Sequence, residues 1–485
     1  MSSFNTIAIH LALLAGTMMP GCTQEQKGRA DHSVLSAGRV PARGDVLKID
    51  CPYAKTHNGA LGNFAAYAVK PLGIQPRVQL LTDANDPQQQ HPNPVQEDAD
   101  RFLRATSAVR FDDVNGSNSE TMERRFKIIT AQDSRRKLGT AAFDMTLAEV
   151  MATPQVFAKA KPAAIAVIPV DSVENIARYE SDLVDYASVR KSKKRDFEAM
   201  TTLPQGDFLV LGSGSDILKL QNGKPNFRSL GIIFSPRTGT VTRYDLTEFY
   251  KNLQDNRDFI GADNEAGKAH LNIEGVTVRP NRDGHIISFF HRGNINGNGH
   301  NAIAEFSLVE WLTAIQASQL EGAPTQPWGS VEPLRIVELQ LPWVASVGDP
   351  SGKAVPLAIN DGLVSGDPHR PVFFIPAGAE AEYTDAKGIH QDGVVTFAGI
   401  IRLEVDAAFS PETASCAVFQ APGDPPPGSK SVFGKVEGLA AFGPGSTAYE
   451  RSLFSPSSLV IGVTDVDSEI APSTLSLLDF RSIQP

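Results

Sequence analysis

Residues 271–294 read LNIEGVTVRPNRDGHIISFFHRGN: a polar residue, an apolar one, a glutamate, a small residue and an apolar run, then an Asp-Gly turn and a second apolar run. Short apolar runs broken by Gly, Asn, Asp and Pro are the pattern of β-strands joined by tight turns. The same order recurs at Asp196-Phe197-Glu198-Ala199-Met200 ahead of GDFLVLGSGS (206–215), and at Lys435-Val436-Glu437-Gly438-Leu439 ahead of SSLVIGVTDVD (457–467). Glu198 and Glu274 lie 76 residues apart, and Glu274 and Glu437 lie 163 apart, about twice that, so a diverged copy is expected between them. VPLAINDGLV (355–364), with Asp361 in the glutamate's place and RPVFFIPAGAEAEYTD (370–385) behind it, fits at 87 residues from Glu274 and 76 from Glu437.

A four-stranded sheet cannot bury both of its faces alone, so such repeats stack about an axis and close into a ring. The expected fold is therefore all-β, a five- or six-bladed β-propeller with a few helical insertions, over residues 44–485. Residues 190–480 carry the repeats, whereas 44–190 form either divergent first blades or a cap. Within 44–190, RFKIITA (125–131) and AAIAVIPV (163–170) read as strands, and 146–161 and 173–188 have helix-forming composition. Helical patterns at 246–254 and 308–320 fall between repeats.

The chain has 485 residues with 45 Lys and Arg against 55 Asp and Glu, a formal charge of -10. An acidic chain with no strong basic block lacks the counterion-releasing surface that nucleic acid needs, so no nucleic-acid partner is expected. Residues 1–21 contain no Lys, Arg, Asp or Glu, and 7–19 form an apolar run too short to span a bilayer. The run ends at Met19-Pro20-Gly21-Cys22, which resembles a lipoprotein-type signal peptide with Cys22 as the lipidated residue. Polar residues 22–43 then form a flexible tether. The expected address is the bacterial cell envelope, periplasm or outer membrane, with the membrane reached only through the lipid anchor. Cys51 and Cys416 remain as an even pair in a compartment where disulfides form, either bridged or as two separate buried thiols.

In a propeller the inner-strand carboxylates Glu198, Glu274, Glu437 and Asp361 point toward one axis. Two readings of them stay open. Like charges brought together call for a neutralising cation, and Ca²⁺, which takes six to eight hard oxygen ligands, suits these four as metal ligands, with Asp196, Asn272 and Asn360 adding oxygens. Alternatively each glutamate accepts backbone N–H groups or pairs with Arg195 or Arg292 as a strut between blades. His291 and Arg292 are the candidate catalytic groups, the imidazole as acid or base and the guanidinium as a clamp on phosphate or carboxylate. LGSGSD (211–216) lacks the lysine of a P-loop and reads as a tight turn, and DVDSE (465–469) lacks the glycine and distal glutamate of an EF-hand. INGNGHN (295–301) has no dinucleotide-binding spacing, and His369 and His390 have no ligand spacing. No G-x-S-x-G, H-E-x-x-H or paired C-x-x-C occurs.

Five segments in order, KKRDFEAMTTLPQGDFLVLGSGS (193–215), LNIEGVTV (271–278), FFHRGN (289–294), KVEGLAAF (435–442) and VTDVDSEIAPSTLSLLDF (463–480), resemble a family of bacterial β-propeller proteins of unknown function. That family looks distantly similar to phytase-like esterase propellers. The resemblance spans about residues 190–480 and implies a five- or six-bladed ring, without an established reaction. Three functions follow as expectations: a propeller binding a cation or small-molecule ligand at a carboxylate-lined channel mouth, a calcium-dependent phytase-like or lactonase-like hydrolase, and a protein-interaction scaffold.

Overall fold

The computed structural model describes residues 45–54, 70–71, 77–79, 106–111, 125–132, 137–152, 162–169, 196–215, 227–263, 269–281, 284–293, 299–320, 330–346, 348–367, 369–406, 410–420, 434–442, 459–465 and 474–483. All lie within one compact unit, residues 40–485. The expected signal peptide, Cys22 and tether, the helix at 173–188, Arg195 and most of DVDSE lie outside the described residues.

Five sheets of four or five strands follow one another along the chain, a five-bladed β-propeller arrangement. Blade I comprises Thr106–Phe111, Arg125–Gln132, Lys137–Thr146 and Pro162–Pro169. Blade II comprises Phe197–Thr202, Phe208–Gly212, Leu230–Ser235 and Thr240–Asp245. Blade III comprises Ile273–Asn281, Gly284–His291, Asn301–Ser307 and Arg335–Gln340. In blade IV the innermost strand is broken into Ala358–Ile359 and Leu363–Asp367, followed by Arg370–Thr384, His390–Glu404 and Ser415–Gln420. Blade V comprises Lys435–Phe442, Leu459–Asp465 and Thr474–Asp479.

The described strands within 44–190 all pair into blades. They supply blade I and outer strands for two other blades. Lys70–Pro71 and Arg77–Gln79 pair with Thr474–Asp479, so the ring is closed by N-terminal strands on the outer edge of blade V. Asp45–Asp50 pairs in parallel with Arg335–Gln340, adding a fifth strand to blade III. Cys51, directly after that strand, is disulfide-bonded to Cys416 on the outermost strand of blade IV. The bond thus staples the edges of blades III and IV, not the seam where the circle closes. The helices expected between repeats are present at Thr247–Asp255 and Leu308–Gln316, where Phe249 and Trp311 pack on Phe289. At 146–161 the described helix is only Leu147–Ala152, with Thr146 hydroxyl and Glu149 carboxylate capping each other's backbone N–H.

The recurring motif has a backbone explanation. In four blades the register between the first two strands slips at its start: between Thr106 and Ala108, Phe197 and Ala199, Ile273 and Gly275, and Val436 and Gly438. The residue left over is Ser107, Glu198, Glu274 or Glu437. A β-bulge inserts one residue and re-aims its side chain, so the repeated glutamate marks a bulge. Blade IV breaks its strand at the same place, leaving Asn360-Asp361-Gly362 between two short strands. The small residue after the bulge answers to blade spacing. A Cβ on Gly438 would stand 2.9 Å from Ala108 Cα, and one on Gly275 2.7 Å from Asp361 Cα, both backbone atoms that cannot move aside.

Candidate functional site

Inner strands begin at one end of the ring, and there the polar residue before each bulge, the bulged residue and the end of the second strand come together. Asn272 N–H donates to His291 Nδ1 at 3.2 Å, and Arg292 N–H to the Asn272 carbonyl at 2.9 Å. Blade II repeats this geometry with Ser213 N–H on the Asp196 carbonyl at 2.8 Å. Blades are stitched by further backbone bonds, Ile273 N–H to the Ser213 carbonyl at 2.8 Å and Asp361 N–H to the Glu437 carbonyl at 3.3 Å.

Two of the four expected carboxylates, Glu274 and Glu437, belong to one charged ladder. Asn272 Nδ2 donates to Glu274 Oε1 at 2.5 Å, and the same oxygen stands 3.3 Å from Arg292 NH1. Arg292 NH2 reaches Glu380 Oε1 at 2.6 Å, and Lys435 Nζ reaches that oxygen at 2.5 Å. Lys435 Nζ also lies 2.5 Å from Glu437 Oε1. Charges therefore alternate as Glu274, Arg292, Glu380, Lys435, Glu437 across blades III, IV and V. Side-chain exposure falls from 17% at Glu380 and 11% at Arg292 to 5% at Lys435, so the ladder meets water at its centre. Burial pushes the Glu380 carboxyl up, but Arg292 and Lys435 outweigh it and hold it at about 2.

Asp361 is deeper and has a different partner. Arg110, on the inner strand of blade I, grips its carboxylate with both guanidinium nitrogens, NH1 to Oδ2 at 2.8 Å and NH2 to Oδ1 at 3.1 Å. NH1 also donates to the Leu439 carbonyl at 2.7 Å and NH2 to the Val276 carbonyl at 3.4 Å. Leu439 N–H in turn donates to Asp361 Oδ2 at 3.1 Å. Four of the five blades thus meet at one guanidinium, and Asp361 is wholly buried. It is a tie between blades and does not line a mouth.

Glu198 occupies the blade II bulge and is half-buried. Beside it Asp196 adopts φ 54°, a left-handed conformation that Asp tolerates better than most residues. Its carboxylate accepts hydrogen bonds from Ser213 Oγ and, at 3.0 Å, from Ser215 Oγ, and Arg228 NH1 lies 3.5 Å away. LGSGSD is accordingly a strand-end turn: its N–H groups at Gly214 and Ser215 go to the Arg228 carbonyl and to Ser213 Oγ.

His291 lies in the packing of blade III, 1% exposed, with its ring 5.3 Å from that of Phe259. Burial lowers its pKa to about 3, helped by His300 and opposed by hydrogen bonds to the Asn272 and Ile260 backbone. The imidazole is thus held neutral within the packing of blade III, away from solvent. Arg292, its neighbour, does reach the site.

As they stand, the donors do not suit a calcium ion. Glu274 and Glu437 each have a cationic side chain against them, and Asp361 is held by both nitrogens of Arg110. Among the described residues no group of three or more His, Cys, Asp or Glu is arranged to hold a metal. Sequence reading missed Arg110, Glu380 and Lys435 as partners. Lys435 stood in plain view, at the polar position that Asp196 and Asn272 fill in the other copies.

The profile of a family of unknown function, DUF6929, matches residues 169–475, from the end of blade I into the last strand of blade V. No curated protein matches the chain. An α-L-arabinanase of Penicillium chrysogenum solved with arabinobiose is similar at 9% identity and TM-score 0.31, covering 84% of this chain and 98% of that one. Arabinanase Arb43A of Bacillus subtilis is similar at 8% identity and TM-score 0.25, covering 59% and 95%. Likeness at this level carries no chemistry across.

Proposed function

As a member of the DUF6929 family the chain inherits no assigned reaction, and we propose from its own residues that it is an exported, lipid-anchored β-propeller that binds a small charged organic ligand at the mouth of its ring. The observation that carries this reading is the ladder: five ionised side chains from three blades converge where the inner strands begin and reach water at Glu380 and Arg292. Buried ion pairs are a poor source of stability, because desolvation offsets most of the Coulombic gain. A polar cluster placed at the end of an axis is better accounted for by recognition. Export rests on the apolar segment 7–19 ahead of Cys22 and agrees with the Cys51–Cys416 disulfide, since such bonds persist in oxidising compartments.

The calcium-dependent hydrolase reading would require an ion to displace Arg292 and Lys435 from their carboxylates, and no feature of the site favours it. The test is thermal melting of the full chain at low salt with sodium acetate, methylammonium chloride, glycine or calcium chloride, each against sodium chloride of equal ionic strength. A ligand that binds only the folded state raises the midpoint. A saturable rise with an organic ion, removed by Arg292→Gln, is expected. Absence of any specific shift, in the wild type and in a variant with the ladder opened at Glu380, would overturn the proposal.

A further inference from the structure

The hairpin of blade IV is longer than its counterparts: Arg370–Thr384 and His390–Glu404 have 15 residues each, against 8 in Gly284–His291 and 7 in Leu459–Asp465. Asn360 N–H, at the strand break of blade IV, meets the Pro376 carbonyl and the second strand continues to Thr384, whereas in blade III the second strand ends at His291, opposite Ile273, so Glu380 sits on an extension. The register of the hairpin slips twice there, between Ala379 and Glu380 and between Ala381 and Tyr383. Bulges bend a strand and re-aim its side chains, and Glu380 lies at this pair of bulges. The side chain that completes the ladder therefore comes from the extended hairpin, while the other four come from the bulges and strand ends of blades III and V.

Among the described contacts, removing Glu380 leaves Glu274 against Arg292 and Glu437 against Lys435, with both cations still directed at the position of the Glu380 oxygen. Asn272 fixes Glu274, and so steadies Arg292, from behind. The gap that Glu380 leaves offers N–H donors from a guanidinium and an ammonium to one oxygen. Two charge-assisted donors converging on a single oxygen are a recognition element for a carboxylate. We infer that this gap is a carboxylate-binding site, that Glu380 occupies it as an intramolecular stand-in, and that the ligand of this propeller carries a carboxylate which takes the place of Glu380. The inference rests on the binding reading above and names its ligand class.

The experiment opens the gap and offers it the missing group. Glu380→Ala in the full chain removes the stand-in and leaves room for a small anion, and Glu380→Thr, better suited to a strand, serves if the alanine variant does not fold. Melting is followed against sodium acetate, with sodium chloride, methylammonium chloride and calcium chloride at equal ionic strength. The expected result is a lowered midpoint that acetate restores saturably and chloride does not, with acetate bound at least tenfold more tightly than by the wild type. Lys435→Met in the same background should abolish the rescue. If acetate and chloride act alike on the folded variants, the carboxylate site is refuted. If methylammonium or calcium shifts them and acetate does not, the mouth binds ligands but not of this class. If nothing shifts either the variants or the wild type, the binding reading falls as well.

Discussion

Replacing Asp361 by alanine would leave the Arg110 guanidinium charged, buried and without its counter-ion at the point where blades I, III, IV and V meet. Arg110 is 7% exposed and Asp361 wholly buried, so water cannot solvate the orphaned charge without opening the ring. Breaking one side of a buried pair costs about 3–5 kcal/mol, much of it the desolvation of the remaining partner. The Leu439 N–H also loses its acceptor. For residues 40–485, an unfolding entropy of roughly 2 cal/mol/K per residue makes each kcal/mol worth about 1 °C, so the midpoint should fall by about 3–5 °C. The double variant Arg110→Met with Asp361→Leu removes both charges and should recover most of that loss, because apolar replacements of buried pairs are often neutral. Scanning calorimetry of the wild type, Arg110→Met, Asp361→Leu and the double variant gives the coupling directly. Single variants within 1 °C of wild type, or a double variant whose loss is the sum of the two, would refute the view that this pair ties the blades together.

Gly438→Ala should cost roughly 1–3 kcal/mol by driving a Cβ into the blade I backbone, read as a lowered denaturation midpoint. Replacing Cys51 and Cys416 by serine should remove about 2–4 kcal/mol by freeing the blade III edge strand, and thiol titration of the unreduced wild type should find neither cysteine. For Glu380, whose folded pKa of about 2 lies below the ordinary 4.5, the ladder's contribution is present above about pH 4.5 and is lost as pH falls toward 2. Wild type should therefore lose on the order of 2–3 kcal/mol relative to Glu380→Gln across that window, measured by denaturation at pH 6 and pH 3.

The repeat was legible because its cause is local. A bulge followed by a close approach of two backbones demands one extra residue and then a small one, and Glu274-Gly275 and Glu437-Gly438 write that demand into the sequence. The blade I copy, Thr106-Ser107-Ala108, escaped notice since serine replaces the glutamate and only the bulge and the small residue survive. The role of Asp361 is not readable along the chain, because Arg110 lies 251 residues away and nothing in the sequence couples the two. Glu380 is hidden for the same reason: its partners, Arg292 and Lys435, lie on other blades and far along the chain. His291 looked chemical in HRGN and proved to be core, since strand ends carry residues to the interior and to the mouth in alternation.

The central claim is that basic side chains neutralise the ladder carboxylates. Its most direct test is thermal melting of the full chain after EDTA treatment and again with millimolar Ca²⁺. The account predicts midpoints within 1 °C of each other, together with a loss of several degrees in Lys435→Met. A calcium-dependent rise of several degrees that Glu274→Gln abolishes would contradict it, and would place a metal ion where Arg292 and Lys435 now stand.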